Sequence, residues 1–354
     1  MATIRDVARG SKVSIATVSR VFNQSTAVSE VTRRKVLAVA SGLGYWPNGI
    51  ARSLITSRTH ALGVLMPDFS GEFFSEVVHG MDLASRERGF HLLVSRSSSN
   101  AEELAATVRS LHGRVEGLIV MAPDFDAAPA IRPWVGSVPT VLINPGHAPA
   151  DSDTVSIANA DGARMVVRHL LGLGHRSIAI ITGPEFNFDS LQRREGYRAA
   201  LREAGIEPDP ELELAGDFSE HSGFEAAERM LRLPARPSAL FASNDYMAVG
   251  ALGALHDAEV RVPEDIAIAG FDDIPLAHYI NPALTTVRVD IPELGRRAVQ
   301  LLLHALEGPA AGAARHEMLP TTLVVRSSCG AGPRNAGESR GARSTENPAP
   351  PARR

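Results

Sequence analysis

One pattern constrains this chain more than any other: from residue 61 onward, short aliphatic and β-branched runs take turns with helical stretches. ALGVLM is followed by a helix over 73–88, FHLLVS by a helix over 101–112, and then come GLIVM and TVLIN. After a polar stretch at 145–153 the alternation resumes with TVSI, a helix over 160–172, SIAIIT, a helix over 190–204, SALFA, a helix over 245–257 and IAIAG. Strands separated by helices predict parallel sheets joined by right-handed crossovers. Two successive series predict two sheets and a cleft between them, so residues 61–329 are expected to form an α/β body of two Rossmann-like subdomains. In such sheets ligands sit beyond the carboxyl ends of the strands.

The first sixty residues obey a different rule. IRDVARGS, IATVSRVFN and EVTRRKVLAVASGL each carry the apolar spacing of one short helix, which predicts a small all-α module over residues 1–46. A connector over 47–60 and a tail over 330–354 complete the division. The tail is rich in Gly, Pro, Ala, Ser and Arg and is expected to be disordered. Charge separates head from body as sharply as periodicity does. Residues 1–60 hold nine Lys or Arg against Asp6 and Glu30, a balance of +7, which leaves −11 for the rest of a chain whose net charge is −4. A basic head on an acidic body is suited to a polyanion.

No apolar run approaches the roughly 20 residues of a membrane span, and MATIRDVARG lacks the apolar block of a signal peptide. With the single cysteine, Cys329, this leads to the expectation of a cytoplasmic protein with no membrane partner, no cofactor and no metal site.

Within DVARGSKVSIATVSRVFN, Ser14 stands where a helix N-cap belongs, and Val18, Val21 and Phe22 share a face that can pack on Val7 and Ala8. The other face shows Ile15, Ala16, Ser19, Arg20 and Asn23. This is a helix-turn-helix pattern, whose second helix enters the DNA major groove. Arg20 suits a bidentate guanine contact, and Ile15 and Ala16 suit a thymine methyl. Ser14, Thr17, Ser19 and Asn23 are short donors for phosphate oxygens. In GYWPNGIARSL, Pro47 stops the preceding segment and Asn48 can cap a brief helix through Ser53.

ATIRDVARGSKVSIATVSRVFN together with VSEVTRRKVLAVASGLGYWPNGIARSL resembles the amino-terminal domain of the LacI/GalR family of bacterial transcriptional repressors. The resemblance continues through GVLMPDFSGEFF, GARMVVRHLLGLGHRSIAIITGP, RREGYRAAL, FASNDYMAVGAL and RVPEDIAIAGFDDIPLAHYINPALTTV, to about residue 329. It implies a periplasmic-binding-protein-like body, a homodimer on a palindromic double-stranded DNA operator, and control by a small-molecule effector in the cleft. It also implies that Asn48, Ala51 and Leu54 reach DNA from the hinge, with Leu54 as a minor-groove wedge. In the cleft, Phe74 and Phe218 match ligand-stacking positions, Arg193 a ligand clamp and Asp272 a carboxylate acceptor. Asp68, Asn144 and Asn244 follow strands on the cleft side, and Asn187 lies in the loop after IITGP. Two departures stand out: Lys12 replaces a turn glycine, and Gly71–Glu72 replaces the usual Asn-Pro of NPFF.

Two aromatics, one arginine and several Asp and Asn groups suit a neutral sugar better than a purine or a phosphorylated ligand. A purine or phosphorylated effector acting as corepressor is the alternative. Asp68, Asp245, Asp272 and Asp273 could instead supply paired carboxylates to a carbohydrate-active enzyme. No Walker loop, GxSxG elbow or HExxH motif supports catalysis.

Overall fold

The computed structural model describes residues 2–22, 26–46, 58–67, 71–96, 101–121, 138–146, 152–308 and 314–331. Asn23, Asn48, Ala51, Leu54 and Asp68 lie outside these described residues.

Three helices build the head: α1 Ile4–Ser11, α2 Ile15–Phe22 and α3 Glu30–Gly42. The start of α1 is closed by Asp6, whose Oδ2 accepts from the backbone N–H and the hydroxyl of Thr3. Its end turns through Lys12 in the left-handed region at φ 53°, with the Lys12 N–H bonded to Arg9 O and the Val13 N–H to Ala8 O. Ser14 Oγ accepts from the Thr17 N–H at 3.1 Å and so starts α2. Val7, Val18 and Val36 are fully buried, Ala8, Val21 and Ala40 nearly so, and Phe22 packs beside them, edge-on to Tyr45. Arg33 donates to Val21 O and ties α3 to the end of α2.

The body has two six-stranded sheets. The first uses β1 Ala61–Met66, β2 His91–Arg96, β3 Gly117–Met121, β4 Thr140–Ile143, β5 Asp153–Ile157 and β11 His316–Leu319. They lie in the order β11-β5-β4-β3-β1-β2, all parallel. The second uses β6 Ile178–Thr182, β7 Glu213–Ala215, β8 Ala239–Ala242, β9 Ala267–Asp272, β10 Thr285–Arg288 and β12 Thr322–Val324. Its order is β12-β10-β9-β8-β6-β7, with β12 antiparallel to β10 and the rest parallel. Every residue of β1, β3, β6, β8 and β9 is buried, the run expected of strands covered on both faces. The helices that follow are α4 Glu72–Glu87, α5 Ala101–Leu111, α6 Asn159–Gly172, α7 Phe188–Glu203, α8 Glu220–Leu231, α9 Asp245–Asp257, α10 Leu276–Tyr279 and α11 Ile291–Leu306.

The boundary between the two series differs from the sequence expectation. TVSI does not open the second sheet; as β5 it pairs in parallel with β4 and stays in the first. Both neighbours are apolar runs, so only the hydrogen-bond partner distinguishes the two sheets. The chain crosses from the first subdomain to the second after Ile157, returns after Arg288, and crosses again after Leu319. The return helix α11 packs on α4 so closely that a Cβ at Gly80 would lie 1.9 Å from Pro292 O, and one at Gly295 2.1 Å from Val77 O. Among the described residues no helix is long and apolar enough to cross a membrane.

Candidate functional sites: an exposed recognition helix and a cleft-end cluster

The two sites are built in different ways. On α2 the residues turned away from the head core are exposed at its start: Ile15 is 46% accessible, and Ala16 and Arg20 are exposed as well, while Thr17 and Ser19 are half-buried. Ser14 is exposed too, with its hydroxyl 2.9 Å from that of Thr17. Exposed Ile15, Ala16 and Arg20 give α2 apolar groups and a guanidinium on its outer side. Its donors and apolar groups suit the edges of bases in the major groove.

In the body the cluster assembles at the carboxyl ends of β8 and β9 and the starts of α6, α7 and α9. Arg193, one turn into α7, is only 3% exposed. Its Nε donates to Asn159 Oδ1 at 2.8 Å and its Nη1 to Ser243 O at 2.6 Å. Its guanidinium carbon lies 3.8 Å from the centroid of the buried Phe271 ring and 6.0 Å from that of Phe218. Nη2 stands 3.1 Å from Asp272 Oδ1, an ion pair by distance. That oxygen has no aligned donor, and neither does Ser243 Oγ. Only four buried side-chain polar atoms among the described residues lack a hydrogen-bond partner, and these are two of them.

Asp272 is held at φ 107° and is 5% exposed. Burial pushes its carboxyl up to about 6; the Arg193 charge pulls it down and the Asp189 charge pushes it up again. Its neighbour Asp245 is fully buried, and burial, reinforced by the Asp272 charge, holds its carboxyl well above the usual range. Asp245 accepts from Thr286 Oγ1 at 2.6 Å and from the Ile274 N–H at 3.0 Å. It begins α9 and belongs to the frame, as carboxylates at helix starts do. Asp273 is likewise structural, accepting 2.6 Å bonds from Arg288 Nε and Arg326 Nη2.

The structure therefore brings Arg193, Phe218, Asn244 and Asp272 together. Phe218 stands at φ 73°, and its carbonyl accepts from Asn244 Nδ2 at 2.9 Å. Asn244 also caps α9 by accepting from the Met247 N–H, so its amide holds the Phe218 loop in place. Asn187 caps α7 through the Ser190 N–H. Asn144, at the end of β4, donates to Asp189 Oδ2 at 3.1 Å and accepts from the Ile157 N–H, bridging one subdomain to the other. Phe74 packs half-buried against the main core, edge-on to Phe73. The sequence reading missed Asn159, Asp189, Ser243 and Phe271. Asn159 donates to Asp189 Oδ1 at 2.8 Å and so links the Arg193 and Asn144 networks. Its signal was positional, since it opens the helix directly after β5.

A basic helix-turn-helix head joined to a two-sheet α/β body with a polar cluster at its strand ends defines a class: the ligand-responsive, DNA-binding transcriptional regulators. Residues 3–48 match the family described as bacterial regulatory proteins, lacI family, and residues 167–329 the periplasmic binding protein-like domain. The ribose operon repressor of Escherichia coli K12 is 37% identical over 325 residues, 91% of this chain and 98% of that protein. The lac repressor dimer bound to operator and the anti-inducer ONPF is 32% identical, with a TM-score of 0.84 over 93% of this chain and 99% of that one. A LacI-family regulator from Enterococcus faecium with bound ribose is 29% identical, with a TM-score of 0.69 over 76% and 98%. The chain belongs to the LacI family, and it is a transcriptional regulator rather than an enzyme.

Proposed function

We propose that this protein is a cytoplasmic repressor that binds a palindromic operator as a homodimer and is controlled by a neutral sugar in the cleft. One observation carries the choice of effector. Among the described residues Asp189 and Asp272 are buried close to the single buried arginine, Arg193. A phosphorylated ligand would meet an excess of acid there, whereas sugar hydroxyls can donate to Asp272 and accept from Arg193. The ribose-related relatives point the same way.

The division of labour follows the sequence boundaries: head to residue 46, hinge and linker over 47–60, sensor body over 61–329, tail from 330. Ser14, Ile15, Ala16, Thr17, Ser19, Arg20 and Asn23 face the major groove, and Asn48, Ala51 and Leu54 the minor groove. Asp68, Phe74, Asn144, Asn187, Arg193, Phe218, Asn244 and Asp272 line or support the effector site. Effector binding changes the relative pose of the subdomains and hence of the two heads, which makes the coupling reciprocal.

A thermal-shift screen of the purified protein against D-ribose, other neutral sugars, sugar phosphates and nucleobases tests the reading. A ligand that binds only the folded state raises the melting temperature. A neutral sugar is expected to do so; a shift confined to phosphorylated compounds or nucleobases overturns the effector class. Leu54→Ala is expected to weaken operator binding and leave the melting of the body unchanged.

A further inference from the structure

We propose that Glu72 is a latch that biases the cleft toward closure. The inference rests on the cleft being the regulatory site and adds the residue that sets its resting balance. Glu72 is the first residue of α4 in the first subdomain, and it is bonded to two separate helix starts in the second. Its backbone N–H donates to Tyr246 Oη at 2.5 Å, and its Oε2 accepts from the Leu276 N–H at 3.2 Å. Tyr246 lies in the first turn of α9 and Leu276 opens α10. Both bonds join protein to protein directly, across the rim on which Asp272 also stands.

The local geometry is made for this contact. Gly71 sits at φ 87° and ψ 161°, a region that only glycine occupies without strain. A Cβ there would lie 2.9 Å from Tyr246 Cε2, so the glycine lets the tyrosine ring close on the backbone. The Tyr246 phenol oxygen carries lone pairs that accept this N–H. A proline at position 72 would have no N–H to give and no carboxylate to receive. The Gly-Glu pair that departs from the usual Asn-Pro is therefore what makes both halves of the latch.

The two donors report on the latch without interference. The first amides of a helix have no partner inside it, so protection of the Glu72 and Leu276 N–H groups comes from the other subdomain. Amide hydrogen exchange on the full-length protein reads them separately. In wild type both are expected to be protected. Tyr246→Phe should speed exchange at Glu72 by at least about tenfold, and Glu72→Ala should do the same at Leu276. Glu72→Pro suits the first helical position and keeps α4 folded. It should release Leu276 and enlarge the radius of gyration in solution scattering. Rapid exchange at both amides in wild type, or unchanged rates and radius in the variants, overturns the latch. Loss of sugar binding in every form would instead count against the effector reading, which these measurements do not use.

Discussion

The head and the body hold their functional side chains in opposite ways. On the head, Ile15, Ala16 and Arg20 are exposed above a core of a few small apolar residues, and they can be exchanged without touching that core. In the body, Arg193 and Asp272 are buried and wired to Asn159, Ser243 and Phe271, so the atoms proposed to meet the ligand also hold the fold. Function and stability should separate in the head and stay coupled in the body. The strongest test of that difference is Arg193→Ala. Removing one partner of a buried charge network costs about 3–5 kcal/mol, because the carboxylates left behind are uncompensated. Chemical denaturation should show that loss in the transition of the body, and calorimetry should show no effector binding. A loss of binding with stability unchanged would break the contrast.

Arg20→Ala is the matching experiment on the head. Operator affinity should fall by about 1–3 kcal/mol, roughly 5- to 150-fold, in fluorescence anisotropy. Stability should stay within about 0.5 kcal/mol, and effector affinity should not move. An equal loss of both affinities would mean that the two regions are not independent.

Next in size is a pH effect that only the body should show. Asp272 carries a carboxyl raised from 3.8 to about 6. Between those values the folded state binds more protons than the unfolded one, so this group's contribution to stability is fully present below about 4. It is lost as pH rises through about 6, to an extent on the order of 3 kcal/mol. A ligand whose hydroxyls donate to the carboxylate selects the ionised form. Its affinity should therefore rise with pH, by about tenfold from pH 5 to pH 7. Calorimetric titration across that range checks the sign; a falling or flat affinity removes Asp272 from the acceptor role.

The same contrast explains what could be read from the sequence. The head was legible almost residue by residue, because a short helix with a cap at Ser14 and apolar positions at Val18, Val21 and Phe22 leaves one face free by geometry alone. The body was legible in its rhythm, and the family resemblance singled out Arg193 and Asp272. Its partners were not: Asn159, Asp189 and Ser243 meet Arg193 or its neighbours only because α6, α7 and β8 converge, and no spacing along the chain encodes that meeting. The boundary at TVSI failed for the same reason, since pairing is a property of two strands. Return helix α11 was also missed, because its fit against α4 rests on two separate close approaches, at Gly80 and at Gly295, 215 positions apart.

The smallest expected effect lies in the head's turn, and it pits stability against function there. Lys12 adopts φ 53°, ψ 44° at the end of α1, where a side chain costs about 1–2 kcal/mol relative to glycine. Lys12→Gly removes that strain but adds chain entropy to the unfolded state, roughly 0.5–1 kcal/mol, so the net gain should lie between about 0 and 1.5 kcal/mol. Slower amide exchange in α1 and α2 of the full-length protein would register it. Lys12 is also exposed and positively charged, next to the helix that faces DNA. If its charge meets a phosphate, the glycine variant should bind the operator more weakly, with a salt dependence shallower by about one unit of slope. A head that becomes firmer while its DNA binding loosens would show that even the exposed site trades a little stability for contact. A firmer head with unchanged salt dependence would leave Lys12 as strain without return.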